Sequence, residues 1–230
     1  MRSQYIEMRR KNEMIQLTIV YDDVNSANSQ LQADHGFSCI IETEENTLLF
    51  DTGTDGQILL NNMKALGKNL LDIDTIIISH EHYDHNGGLK EVCQTLKKPT
   101  IYRIENDTEL GMPQTIVTDQ PQEIAPHIWT TGRLKGNPLD EQSLILKHKD
   151  GIFVLVGCSH SGLENILSVA ASYGKITGVM GGFHGFDNLS LLKEIKDIYP
   201  AHCTVHKKAI HDLYPNQAHP SFLGLTITLQ

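Results

Sequence analysis

The chain has 230 residues, 40 % of them hydrophobic and 20 % charged, which is enough to bury a core and ordinary for a globular protein. Its net charge is −9 with no block of Lys and Arg to follow a phosphate backbone, and no run of 18 apolar residues occurs, so neither nucleic acid nor a membrane is expected as a partner. Its four cysteines, Cys39, Cys93, Cys158 and Cys203, form no Cys-x-x-Cys pair, which predicts reduced thiols in a cytoplasmic protein.

The first 13 residues are polar and read as a leader, with residues 14–230 as one domain. Apolar runs, many of them β-branched, predict strands over 16–21, 37–42, 47–50 and 75–79, with a helix over 57–66 before the last of these. The segment His80-Glu81-His82-Tyr83-Asp84-His85 follows, then a helix over 87–96 with Asn86 as its N-cap. A strand over 100–102 closes a first half, about 14–103. Residues 105–140 carry the weakest pattern, with one strand at 128–130, and read as an irregular surface excursion over the site. The second half, 143–230, has predicted strands over 143–147, 152–156, 176–180, 202–205 and 223–228, and helices over 162–173, 190–198 and 207–213. Leu163, Ile166, Leu167 and Ala170 recur at i, i+3, i+4 and i+7, and Ser161 with Glu164 reads as a capping box.

Histidines recur beside these strands. Strand 152–156 runs into Gly157-Cys158-Ser159-His160, strand 176–180 runs into Gly181-Gly182-Phe183-His184, and the strand over 202–205 begins with His202. Loops at strand ends are where open α/β folds place their chemistry. In extended chain, residues i and i+2 face one side, so His80 and His82 can present two imidazoles to one metal ion. Asp84 and His85, after the turn, can serve a second. Imidazole and carboxylate together suit zinc, or iron or manganese. The alternative is a loop of solvated histidines; four ligand-type residues in six positions, directly after an apolar strand, weigh against it.

His-x-His-x-Asp-His after a strand resembles the signature of the metallo-β-lactamase superfamily. Leu48-Leu49-Phe50-Asp51-Thr52-Gly53 is similar to that family's upstream strand ending in Asp-Thr-Gly. Asp34-His35-Gly36-Phe37-Ser38, Gly157 to His160, Gly181 to His184 and His202-Cys203-Thr204 resemble a subgroup labelled dihydropteroate-synthase-like. The resemblance implies an α/β fold, a four-layer αβ/βα sandwich with two mixed sheets between outer helices and metals at one sheet edge. It implies one or two divalent ions, zinc first and iron or manganese as alternatives. The implied ligands are His80, His82, Asp84 and His85, with His160 completing the first site and His202 the second. The acidic residue that bridges two ions in that family has no counterpart at the expected place; His184 is the nearest candidate by order, and Cys158 is another. Asp51 is expected to buttress the metal loops by hydrogen bonds, with His35 and Cys158 as further substrate or supporting positions.

The activity implied is hydrolysis of a small-molecule ester, phosphoester or amide by metal-activated water, with Asp84 orienting the water and His184 or His202 assisting proton transfer. An iron dioxygenase of the same fold and a non-catalytic ligand-binding member stand as alternatives.

Overall fold

The computed structural model describes residues 14–25, 30–96, 99–105 and 115–230; the leader over 1–13 lies outside the described residues. Strands β1 (Ile15–Tyr21), β2 (Ser38–Glu42) and β3 (Thr47–Phe50) pair antiparallel in sequence order. Helix α1 (Gly56–Ala65) then carries the chain back to β4 (Thr75–Ile77), parallel to β3. Two short helices, α2 (Tyr83–Asn86) and α3 (Leu89–Thr95), precede β5 (Thr100–Arg103) and β6 (Thr115–Val117), which extend the sheet in parallel. A second sheet opens with an antiparallel run of β7 (Gln122–Ala125), β8 (Ile128–Thr130), β9 (Leu144–His148) and β10 (Gly151–Val156). Helix α4 (Leu163–Ala170) crosses to β11 (Ile176–Gly182), parallel to β10, and β12 (Asp197–Ala201) is parallel again. Helix α5 (Lys207–Leu213) precedes β13 (Thr226–Leu229), which returns to the first sheet beside β1. The strand orders are β13-β1-β2-β3-β4-β5-β6 and β12-β11-β10-β9-β8-β7.

Alternation along the strands builds the layers. Leu17 and Ile19 of β1, Phe50 of β3, Leu144 and Leu146 of β9, and Phe153 and Leu155 of β10 point between the sheets into one core. Their neighbours point outward. Val20, Ile40, Leu49 and Ile76 meet Leu59 and Met63 of α1 and Leu89 and Val92 of α3. Ile152, Val154 and Val179 meet Leu163, Ile166 and Ala170 of α4. Each such side chain taken out of water contributes about 1.5–3 kcal/mol. The result is the expected four-layer αβ/βα sandwich of two mixed sheets between outer helices.

Several local expectations are corrected. Residues 190–198 are not a helix: a 3-10 turn over Leu189–Leu192 gives way to β12, which hydrogen-bonds along the open side of β11. The pairing offered by a sheet edge outweighs a helix-like apolar spacing. The strand expected over 202–205 therefore lies five residues earlier, and His202 follows a strand instead of starting one. The 105–140 excursion contains β6 and β7 as well as β8. Ser161 does not cap α4. Its N–H and hydroxyl both donate to Oε1 of buried Glu141, at 2.8 and 2.7 Å, and Gly162 occupies the cap at φ +86°. Asn86 lies inside α2 and donates to Glu81 Oε2 at 2.8 Å instead of capping α3.

Candidate metal centre

Six chain segments end at one edge of the sandwich. They are the turns after β1, β3, β4, β10, β11 and β12, and all the expected site residues lie on them or on the loop before β2. The turn after β3 is the framework. Asp51 is fully buried, with φ +58°. Its Oδ1 accepts from Ser79 N at 2.7 Å, and its Oδ2 accepts from Ser79 Oγ at 2.8 Å and lies 2.7 Å from His85 Nδ1. Burial raises its pKa well above the usual carboxylate value, partly offset by the two Ser79 hydrogen bonds. Thr52 N donates to His85 O at 2.7 Å, tying the turn to the histidine segment from both sides. Gly53 has φ +63°, and a Cβ there would lie 2.6 Å from the Tyr21 ring, so the turn needs glycine for both conformation and space.

The buried histidines are aimed in the same way. His85 gives Nδ1 to Asp51, His80 Nδ1 lies 2.9 Å from Ser79 Oγ, and His202 Nδ1 lies 3.0 Å from Asp23 Oδ1. Each partner engages the outer ring nitrogen and leaves Nε2 turned toward the middle of the edge. His80 Nε2 lies 3.1 Å from His82 Nδ1, His202 Nε2 lies 3.1 Å from Asp84 Oδ2, and His85 Nε2 lies 3.1 Å from Cys158 Sγ. His160 stands over His80 and His82, with ring centroids 4.7 Å from each, and its buried Nε2 has no hydrogen-bond partner. Hydrogen bonding within the protein leaves that nitrogen unsatisfied and so available to a metal ion.

Two donor groups result. Asp84, His85, Cys158 and His202 form one, and His80, Cys158 and His160 the other, with all donor atoms in each group within 4.8 Å of one another. His82 joins the second group through its contact with His80. Imidazole, carboxylate and thiol groups, with one buried nitrogen unsatisfied, fit divalent metal ions. Asp23, His35 and His202 make a third, more exposed cluster.

The electrostatics agree with closely packed donors. Burial, then the neighbouring histidines His85, His160 and His82, push the His80 pKa well down; burial and His202 do the same for His85. Burial and the rings of His82 and His184 lower His160 to about 4. Burial alone would raise Asp84, but the His202 hydrogen bond and the charges of His85 and His202 outweigh it and hold the carboxyl well below its usual range. His202 goes the other way. Burial disfavours its charge, yet hydrogen bonds to Asp23 and Asp84 raise it to about 10.

His80, His82, Asp84, His85, His160 and His202 are thus brought together, and Asp51 supports them from behind. His184 is not in either donor group among the described residues. It is exposed at φ +44°, its ring centroid 5.1 Å from that of His160, on the rim of a cleft of about 260 Å³ also lined by Asn137, Phe183 and Phe186. His35 is exposed, with Nε2 3.3 Å from Asp84 Oδ2. Asp51, Ser159, His184 and His202 all have positive φ without being glycine, a strain of about 1–3 kcal/mol each that concentrates at this edge.

Sequence reasoning missed Asp22, Asp23 and Glu141. Asp22 Oδ2 accepts from His202 N at 3.2 Å and Asp23 orients its ring. Two consecutive acids directly after a strand were the available signal. Glu141 is buried and holds Ser161, the residue after His160; no motif marks it.

Among the described residues, no helix is long and apolar enough to cross a membrane. The sequence pattern described as the metallo-beta-lactamase superfamily matches residues 31–202. A Methanocaldococcus jannaschii protein named 7,8-dihydropterin-6-methyl-4-(beta-D-ribofuranosyl)-aminobenzene-5'-phosphate synthase is 27 % identical over 265 residues, covering 86 % of this chain and 90 % of its own length. The fold is similar to that of Tm1679, described as a metal-dependent hydrolase of the beta-lactamase superfamily, with a TM-score of 0.75 at 23 % identity, covering 93 % of this chain and 98 % of that one. It is also similar to the metallo-beta-lactamase fold protein YhfI from Bacillus subtilis, with a TM-score of 0.68 at 16 % identity, covering 94 % and 99 %.

Proposed function

The chain belongs to the metallo-beta-lactamase superfamily, and on that premise we propose that it is a metal-dependent hydrolase of small-molecule esters, phosphoesters or amides. The observation that carries the reading is the pair of donor groups at one sheet edge with His160 Nε2 buried and unsatisfied. His80, His82 and His160 would hold one ion, and Asp84, His85 and His202 a second, with zinc the ion their imidazole-rich set suits first. Divalent ions bound there lower the pKa of water and polarise the oxygen of the group under attack.

The remaining work falls to side chains. Asp84, kept as a carboxylate, accepts a hydrogen bond from water and orients it. His202 is held at its far side by Asp23, so its ring keeps one orientation. His184, exposed beside the cleft, would pass a proton to the leaving group. The cleft flanking His160 suits a small substrate, and the net charge of −9 favours that over nucleic acid. The cysteine usage supports a reducing, cytoplasmic setting.

The test is elemental analysis of the purified chain together with turnover of chromogenic phosphodiesters, thioesters and lactams by the zinc-, iron- and manganese-loaded forms. Zinc at one or two per chain, with turnover abolished in His80→Ala and Asp84→Ala, is the expected result. A chain that takes up none of the three metals sinks the reading. Metal uptake without hydrolysis of any of them would redirect it toward bond formation, as the synthase name of the M. jannaschii relative indicates for that protein.

A further inference from the structure

The two donor groups have one member in common. Cys158 Sγ lies with Asp84, His85 and His202 in one set and with His80 and His160 in the other, so among the described residues it is the single donor within reach of both. The resemblance read in the sequence implies a bridging acidic residue in a strand-end loop downstream of the third histidine. Here β11 ends in Gly181-Gly182 and brings no side chain to the edge. A Cβ on Gly182 would lie 2.5 Å from Gly157 O, 2.6 Å from Cys203 Sγ and 3.3 Å from Cys158 Cα, so the backbone of the β10 turn and the Cys203 thiol leave no room for a side chain there. The first acidic residue after β11, Asp187, is exposed. His184, the other residue on that turn with a donor atom, is exposed and lies outside both groups.

We propose that Cys158 supplies a thiolate ligand shared by the two metal ions, taking the place of the missing carboxylate. This rests on the metal-dependent reading above. Its Sγ follows the buried end of β10 and lies 3.1 Å from His85 Nε2, close enough for both atoms to reach one ion. On metal binding the S–H bond breaks, a metal–sulfur bond forms, and the proton leaves to solvent. Cys203 is a positioning residue: its Sγ donates to Cys158 Sγ at 3.1 Å and holds the sulfur in place. A soft shared ligand selects zinc or cobalt over manganese, which prefers oxygen.

The experiment uses the full chain reconstituted with cobalt(II), reading metal per chain and the near-ultraviolet thiolate-to-cobalt charge-transfer absorption. The wild type is expected to bind two ions and show the band. Cys203→Ala should keep the band, because the ligand is the other sulfur. Cys158→Ser should lose it while retaining the wild-type far-ultraviolet circular dichroism, and its affinity for the second ion should fall about tenfold or more. Cys158→Asp should recover two-ion binding without the band. Two bound cobalt ions in the wild type with no thiolate band overturn this inference and leave the hydrolase reading standing. So does a band that survives Cys158→Ser, or one that disappears with Cys203→Ala alone. A chain that binds no divalent ion overturns both.

Discussion

A histidine becomes a directed ligand only when something holds its other nitrogen. For His85 that partner is Asp51, two loops away in sequence and fully buried with it. Asp51→Ala leaves His85 Nδ1 and the Ser79 N–H without partners in a dry site, where each unsatisfied group costs about 1–3 kcal/mol. The expected outcome is a loss of about 3 kcal/mol in urea unfolding and a 10–100-fold loss of zinc affinity by dialysis equilibrium. His202 makes a second, pH-dependent case. In the metal-free protein its pKa is raised to about 10 by Asp23 and Asp84, above the unfolded value of about 6.5. The folded state then binds this proton more tightly than the unfolded state. Its contribution to stability is complete below pH about 6.5 and is lost as the pH rises through about 10. Proton NMR of the chelated protein should place the His202 midpoint near 10, with Asp23→Asn moving it down. A wild-type midpoint below 7 contradicts the geometry. Because a ligating imidazole must be neutral, zinc binding to His202 also displaces this proton.

At the scale of elements, the segments that deliver the ligands are set by turns and caps. Helix α1 starts where Asp55 accepts from Gln57 N at 2.8 Å and Ile58 N at 3.0 Å. Asp55→Ala should cost about 1 kcal/mol in thermal or denaturant unfolding while leaving metal content unchanged, since no residue of α1 belongs to either donor group. A drop in metal content would mean that the cap also sets that turn. Strand β12 shows where local pattern misleads. Leu192, Ile195 and Ile198 have helical spacing, but all three are buried in the outer core whether the chain is helical or extended, so spacing alone cannot choose. The open side of β11 decides, and Pro200 is tolerated because β12 is an edge strand.

The whole molecule joins its halves at the metal edge. His80, His82, Asp84 and His85 come from the end of β4 in the first sheet, and Cys158, His160 and His202 from β10 and β12 in the second. Ions held there would tie the two sheets together and stabilise the folded chain by mass action. At a free zinc concentration 100 times Kd the gain is about 2.7 kcal/mol, or roughly 5–10 °C in Tm for a chain of this size. Melting curves with zinc and with excess chelator should differ by that amount. His80→Ala should lose most of the difference, and an equal Tm in both conditions would show that the ions do not bridge the sheets.

Much of this was legible in the sequence because it is local. Alternating apolar residues marked most of the strands, and the amphipathic stripe of Leu163, Ile166, Leu167 and Ala170 marked α4. The His80 to His85 spacing, together with the turn at Asp51, pointed to the donor-rich segment and to the family. What tertiary structure alone decided is non-local. Asp23 reaches His202 across 179 positions of sequence and Glu141 secures Ser161, contacts that no spacing rule connects. The same holds at the centre of the site, where His184 is nearest by order yet stands outside on the rim and Cys158 lies between both donor groups. Chain order records which strand a residue follows. Only the packing of the two sheets determines which strand-end side chains meet, and a buried position shared by two ligand groups exists only once both sheets are in place.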